Sequence, residues 1–407
     1  MPGLDEFYED RQPRHKMSHP KGWEPGVTYR EGSGGTISTG PLGEEPSGDL
    51  WDRLIQDWGL DPEKVEVIPG SIQVRAWDAN VGGGEIKRLT YYRASIQEKS
   101  SRVSEEDLND LLTLIKKKKP LKTRDLPPVT GRAFVILASD WQLGKSEGGG
   151  SAATIERIME AFDRAAFRLK ELEKSGKRCG SVYLIGLGDL VEQCAGHYAM
   201  QAFSVDLDRR QQMRIARQLI LYAVDLFLAF DVEIILGAVP GNHGENRSSS
   251  SGKAFTTWTD NDDLAVFETV AEILDHNPER YGKVSVPLGA IAEDLSMVLD
   301  VEGVPVGFIH GHQVRKSGNT QAKLEEWLKG QVMGRQAIGD CEILIAGHLH
   351  HFVMSEASGR TVIQVPAMDG GSHWWVSMSG QSSPAGMVTL TIGKNVGPRG
   401  WSDLLIV

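Results

Sequence analysis

Five short polar runs, each following an apolar stretch, carry the side chains of this sequence best suited to chemistry. They hold Asp140 and Gln142 in SDWQLG, Asp189 in GLGDLVE, Asn242 and His243 in PGNHGENR, His310 and His312 in FIHGHQ, and His348 and His350 in AGHLHH. A mixture of carboxylates, imidazoles and amide oxygens without cysteine suits Mn²⁺, Mg²⁺, Fe²⁺ or Zn²⁺ and argues against a Cys-rich structural zinc site. Singly, each pair is ambiguous, because Gly-Asp and Asn-His corners are common turn chemistry. Jointly they are specific, since five separate strand ends would each have to carry a ligand by accident. The stretch from Val232 to Arg247 anchors the set. Its β-branched run is stopped by Pro240 and Gly241, which puts Asn242 and His243 on a loop at the carboxyl end of a strand, where open α/β sheets collect ligands. Asn offers a neutral carbonyl oxygen to a hard cation; His ligates or, left free, acts as an acid near neutral pH.

The elements that must position these groups follow from periodicity. From Ala133 the order is strand, helix, strand, helix. AFVILAS leads to Asp140, and Ile155, Ile158, Met159, Phe162, Ala166 and Leu169 share one helical face. SVYLIGLG leads to Asp189, and a helix through Met213, Ala216, Ile220, Val224 and Phe227 precedes the Val232 strand. LAVFETVAEIL reads as another helix, VPVGFI and EILIA as strands into His310 and His348, and TVIQVPA and GMVTLTIG as closing strands. This alternation predicts a layered α/β fold with a central sheet covered by helices.

Upstream, Leu50, Trp51, Leu54, Ile55 and Trp58 recur at helical spacing before a stop at Gly59. Val65 to Ile68, Ser71 to Trp77 and Lys87 to Ala94 alternate as strands, which makes a small α+β accessory module. Its Arg88, Tyr91, Tyr92 and Arg93 read either as a half-buried strand or as a face that stacks on bases and pairs with phosphates. Residues 1–47, rich in Gly, Pro, Ser and charge, read as a disordered or extended leader, and GSGGTISTG, which lacks the ending of a P-loop, as a flexible linker. A helix starting after Ser104 and a linker over 121–130 complete the expected division into 1–47, 48–100, 101–130 and 131–407.

Bulk properties set limits. A chain of 407 residues with 40% hydrophobic content can bury a sizeable core in two or three domains. A net charge of -11 gives no global basic field, so a polyanion would have to be met by a local patch or by bound cations. Cys179, Cys194 and Cys341 are odd in number and lack C-x-x-C spacing, which reads as free thiols in a reducing compartment. No apolar run reaches membrane-spanning length, and the amino terminus is acidic and polar, so a cytoplasmic protein without membrane association is expected.

The motifs, in this order over about residues 132 to 370, resemble those of the calcineurin-like metallophosphoesterases: D-x-H, G-D, G-N-H, H or H-G-H, then G-H-x-H. VPGNHGENR, GHLHH and the chain length look most similar to the SbcD-type DNA double-strand-break repair nucleases, in their bacteriophage-encoded versions. The resemblance implies a β-sandwich flanked by helices and two divalent ions, Mn²⁺ foremost, with Mg²⁺, Fe²⁺ or Zn²⁺ as alternatives. It implies that Asp189 bridges the ions, that Asp140, Gln142 and His350 complete the first site, and that Asn242, His310 and His348 complete the second. His243 then stays off the metals as the general acid, beside Asp140 as its orienting neighbour. The departure is Gln142, where the family usually has histidine; an amide oxygen is a weaker and harder donor than imidazole, so the first ion is expected to be looser.

Two cations roughly 3.5 to 4 Å apart activate a shared water for in-line attack on phosphorus. Arg247 and Glu245 are then expected to meet the phosphodiester or orient His243, His312 to support the ligands or touch substrate, and His197 to border the cleft. His351 and His373 are set down as structural. The loops SEGGGS and RSSSSG are expected as mobile rims, and Trp374 or Trp375 as core or as a stacking platform. The implied function is a DNA exonuclease or endonuclease, with DNA, an SbcC-type ATPase and a second copy of the chain as partners. The alternatives are a phosphatase or a cyclic-nucleotide or small-molecule phosphodiesterase, and an inactive binding or scaffold protein.

Overall fold

A computed structural model describes residues 23–30, 34–42, 46–68, 70–80, 86–98, 105–117, 131–198, 201–314, 320–371, 376–377, 380 and 382–407. Chain contacts divide it into two units, 1–100 and 101–407.

In the first unit, β1 (Gly26–Arg30), β2 (Gly34–Ser38), α1 (Gly48–Asp57), β3 (Val65–Val67), β4 (Gln73–Asn80) and β5 (Ile86–Glu98) follow in order. The strands form an antiparallel sheet ordered β1-β2-β5-β3, with β4 also paired to β5. Trp51, Leu54 and Ile55 of α1 cover it by packing against Ile37, Tyr92, Ala94 and Ile96. The leader expected over 1–47 thus contributes two strands. β2 bonds to β1 on one side and β5 on the other, and its Ile37 enters the core. A strand carrying one large apolar residue among Gly, Ser and Thr leaves no legible period, so GSGGTISTG reads as a linker until its partners are present. Tyr91 and Tyr92 are buried, which removes them from any nucleic-acid surface. Arg93 donates to Ser38 Oγ at 3.0 Å and lies over the Trp23 ring.

The second unit begins with α2 (Glu105–Lys117), β6 (Ala133–Ala138), α3 (Gly150–Lys174), β7 (Ser181–Gly186), α4 (Arg209–Leu228), β8 (Glu233–Ala238), α5 (Asp262–Asp275), α6 (Pro278–Tyr281) and β9 (Val284–Ser285). It continues with β10 (Ser296–Val301), β11 (Val304–Ile309), α7 (Thr320–Met333), β12 (Ile343–Ala346), β13 (Val353–Ala357), β14 (Arg360–Gln364), β15 (Val388–Ile392) and β16 (Trp401–Ile406). The layered α/β architecture is present, with two sheets, as the β-sandwich implied by the resemblance requires and where alternation alone suggested one central sheet. One is ordered β16-β15-β6-β7-β8-β9 and the other β10-β11-β12-β14-β13.

Alternation within β6 shows how the layers stack. Ala133, Val135 and Leu137 join Val306, Phe308, Ile343, Ile345 and Ile363 between the two sheets. Phe134, Ile136 and Ala138 face the helices, beside Ile155, Phe162, Ile220 and Phe227. Strands covered on both faces read as continuous apolar runs. The outer face of the second sheet is covered by Leu324 and Leu328 of α7, a helix that the sequence reading did not single out. α2, the helix expected after Ser104, belongs to the helical layer, where its Leu108, Leu112 and Ile115 are buried. The linker over 121–130 lies outside the described residues. No helix among the described residues is long and apolar enough to cross a membrane. The three cysteines are free thiols, Cys179 and Cys341 buried.

Candidate metal centre

β6, β7 and β8 are mutually parallel, as are β11, β12 and β14 in the second sheet. The loops after these strands carry the polar runs. Their backbones are unusual: Asp140, Gln142, Asp189, His348 and His350 all have left-handed φ values, of 50°, 43°, 53°, 74° and 56°. Non-glycine residues held there cost of order 1–3 kcal/mol each and cluster at functional sites.

Four of the predicted ligands meet at one point. His310 Nε2 lies 2.9 Å from Asp189 Oδ2, 3.1 Å from Asn242 Oδ1 and 3.2 Å from His348 Nδ1. His310 Nδ1 donates to the Leu187 carbonyl oxygen at 2.7 Å, which leaves Nε2 as the ring's lone-pair atom. A carboxylate oxygen, an amide oxygen and two imidazoles therefore face each other, and Asp189 Oδ2 is buried without a well-aligned hydrogen bond. One proton can relieve one of these contacts; a divalent cation relieves all of them. Among the described residues, the group of His, Cys, Asp or Glu side chains whose ligand atoms all lie within 4.8 Å of one another is Asp189, His310 and His348. Burial disfavours the charged form of His310, but Asp189 and Asp140 outweigh it and raise the group to about 9. Burial likewise acts to raise Asp189, and His310 and His243 reverse it and hold the carboxyl well below its usual range. These residues fit a divalent cation.

Gly241 allows this convergence, because a Cβ there would come within 2.1 Å of the Asp189 backbone nitrogen. Asp263 then ties the loops together. Its carboxylate accepts from the backbone N–H groups of Asp189 at 2.8 Å, Leu190 at 2.9 Å and Gly241 at 3.0 Å. Burial, and after it the charge of Asp189, push Asp263 up to about 7.

The other predicted set is built differently. Asp140 Oδ1 lies 3.1 Å from His350 Nε2, and Asp140 Oδ2 accepts from the His348 backbone N–H at 3.0 Å and from Ser139 Oγ at 2.5 Å. The other nitrogen of His350 is 3.5 Å from Asp369 Oδ1, and Asp369 pairs closely with Lys145. Gln142 offers its amide oxygen to Lys145 Nζ at 3.3 Å, while its Nε2 lies 3.4 Å from His243 Nε2. Its one metal-binding atom is thus already engaged by a cation, and Gln142 does not fit as a ligand in this arrangement.

His243 does not sit beside Asp140, as the sequence suggested. Its Nδ1 is 3.1 Å from Glu192 Oε2, and its backbone N–H donates to Asp189 Oδ1 at 2.7 Å. Burial opposes its charge, but Glu192 and then Asp189 raise it to about 9. Asp140 faces His350 and the His348 backbone, so the carboxylate beside His243 comes from three residues after Asp189. Tyr198 donates to Glu192 Oε1 at 2.7 Å and fixes it.

The remaining predicted residues divide. His197 stacks on His243 with ring centroids 4.5 Å apart and 5° between planes, and the His312 ring lies 5.4 Å from His310. Burial, then the neighbouring His243 or His310 respectively, lowers each to about 3, so both stay neutral. Arg247 is engaged by Glu245 through Nε at 2.6 Å and through Nη2, so Glu245 holds Arg247 and does not orient His243. His351 Nδ1 donates to the Leu349 carbonyl oxygen at 2.7 Å. His373, Trp374 and Trp375 lie outside the described residues. SEGGGS is no loose rim: Ser151 donates through N and Oγ to Asp206, and a Cβ on Gly148 would come within 2.2 Å of Gly370.

Sequence reasoning missed Glu192, Lys145, Asp263 and Asp369. Asp369 follows β14, a sixth parallel strand end, and TVIQVPAMD carried that signal. Asp263 caps nothing in the chemistry, and only its through-space bonds reveal it.

No protein-family model matches this sequence, and no curated protein matches it. Solved structures do. Vacuolar protein sorting 29 from Cryptosporidium parvum is 13% identical, covering 68% of this chain and 97% of that one at a TM-score of 0.31. A novel archaeal phosphodiesterase is 12% identical, covering 67% of this chain and 99% of that one at 0.29. A conserved uncharacterised protein and predicted phosphoesterase from Streptococcus pneumoniae TIGR4 is 11% identical, covering 69% and 100% at 0.28. The chain is similar to each of these to that extent, and the chemistry of its site rests on the geometry of its own residues.

Proposed function

We propose that this chain is a metal-dependent phosphoesterase that hydrolyses phosphodiesters, with DNA as its substrate and His243 as its general acid. One observation carries the reading: four electron-rich ligand atoms from Asp189, Asn242, His310 and His348 face one another on separate strand ends, with an imidazole poised beside them. The order of the motifs, which resembles the calcineurin-like metallophosphoesterases, supports the same conclusion. When bound, a divalent cation at this site supplies Lewis-acid activation of water and neutralises phosphate charge.

The chain's own residues do the rest. Glu192 holds the proton on Nδ1 of His243 and stabilises the imidazolium, which leaves Nε2–H to protonate the departing oxygen. His197 and His312, both neutral, wall the site without competing for the proton. Arg247, when it exchanges Glu245 for phosphate, offers a planar fork to two oxygens.

A polymer is favoured by the surroundings. Tyr198, Phe203, Phe255 and Trp258 are exposed aromatic side chains on the segments around Gly196 and Arg247, which pack together closely. Such side chains stack on unpaired bases. An SbcC-type ATPase partner and a homodimer rest on the resemblance alone.

The test is incubation with Mn²⁺ of labelled single- and double-stranded DNA, an aryl phosphodiester and an aryl monoester, with a chelator control. DNA cleavage abolished by chelation is expected. Turnover of the small diester or the monoester alone would end the nuclease reading in favour of a small-molecule phosphodiesterase or phosphatase. No turnover with any divalent metal would leave a binding or scaffold protein.

A further inference from the structure

The ring of groups at the Asp140 side contains a cation that the chain itself provides. Lys145 Nζ sits 3.3 Å from Gln142 Oε1 and pairs with Asp369, and both the lysine and the aspartate side chains are largely buried. The loop is shaped to put it there. The Lys145 backbone N–H donates to the Gln142 carbonyl oxygen at 3.0 Å, Gln142 itself is left-handed, and the Asp369 N–H donates to the Asp140 carbonyl oxygen at 3.1 Å.

A buried ammonium needs acceptors for its protons, and an amide has one oxygen. Lys145 therefore occupies the Gln142 amide oxygen, the one atom of that side chain able to ligate a metal. Both ring nitrogens of His350 also face carboxylate oxygens, at 3.1 Å on Asp140 and 3.5 Å on Asp369. By contrast, the ligand atoms of Asp189, Asn242, His310 and His348 converge on one another.

We propose that the Lys145 ammonium stands in for one metal ion, so that the chain holds a single tight divalent cation at Asp189, Asn242, His310 and His348. This rests on the phosphoesterase reading above and departs from the two-ion arrangement that the resemblance implied. Lys145 contributes positive charge beside Asp369 and Gln142 and repels a second divalent ion from the adjacent space. Its place three residues after Gln142 couples it to the one position where the motif departs from the usual histidine.

The test measures metal content and not turnover. After Mn²⁺ loading and gel filtration, the full chain is expected to carry one ion per molecule by elemental analysis, with the electron paramagnetic resonance spectrum of an isolated ion. Lys145→Met frees the amide oxygen and removes the charge, so a second ion is expected to bind at least about tenfold more tightly than in the natural chain, read by calorimetric titration. Gln142→His supplies an imidazole nitrogen, a stronger metal donor than an amide oxygen, and is expected to gain the second ion even if Lys145→Met folds poorly. Two tight ions or a spin-coupled pair in the natural chain would overturn the inference while leaving the phosphoesterase reading intact. So would a second-ion affinity unchanged in both variants, the result expected if Lys145 only braces Asp369. No bound ion in any form would overturn both.

Discussion

His243 and Glu192 form the pair on which the proposed proton transfer depends. Replacing His243 with Ala removes the proton donor but keeps the backbone N–H that bonds Asp189. Turnover is expected to fall roughly 10²–10⁴-fold with metal content unchanged, as measured by elemental analysis alongside DNA cleavage. In Glu192→Gln the carboxylate that raises His243 is gone. Less of the imidazolium persists, so the alkaline limb of the pH–rate profile is expected to move to lower pH; an unmoved limb would mean that another group sets it. His310 gives a second pH dependence, with the opposite partner. Its proton and the metal compete for Nε2, and the proton is held up to about 9. Mn²⁺ affinity should therefore weaken as pH falls below that value, with proton release on binding detectable by calorimetry in buffers of different ionisation enthalpy.

At the scale of elements, each proposed ligand is set by the loop after a parallel strand, and neighbouring loops are held to one another by carboxylates. Asp263 at the start of α5 binds the loops after β7 and β8, while Asn261 both accepts from the Asp263 N–H at 2.9 Å and donates to the Gly241 carbonyl oxygen at 2.8 Å. One helix start thus fixes the spacing between Asp189 and Asn242. The same dependence on neighbours explains α2, a helix with charged ends whose burial only its neighbours decide. Leu112 is buried against the helical layer, so Leu112→Ala is expected to cost about 2–5 kcal/mol, read as a lowered denaturant midpoint. A connecting helix would lose almost nothing.

At the scale of the molecule, the second unit contains every ligand proposed here and its own two-sided core. Residues 101–407 expressed alone are expected to fold and to bind Mn²⁺ with the affinity of the full chain, by calorimetry; loss of binding on removal of residues 1–100 would assign them a part in the site. Sequence alone determined the strand–helix alternation and the residue types at the strand ends, because continuous apolar runs ending in Asp, Asn or His are local signals. It also placed the first-unit helix and three of that unit's strands, all of them periodic. The partners of those ligands were decided only by tertiary structure. Glu192 instead of Asp140 beside His243 and Asp263 under two loops are contacts between loops far apart in the chain, whereas Lys145 on the oxygen of Gln142 and Glu245 on Arg247 are contacts within one loop whose conformation the surrounding packing sets. A carboxylate or ammonium within a sequence looks the same whether it faces water or a buried imidazole, and the packing of two sheets with their helices selects between the two.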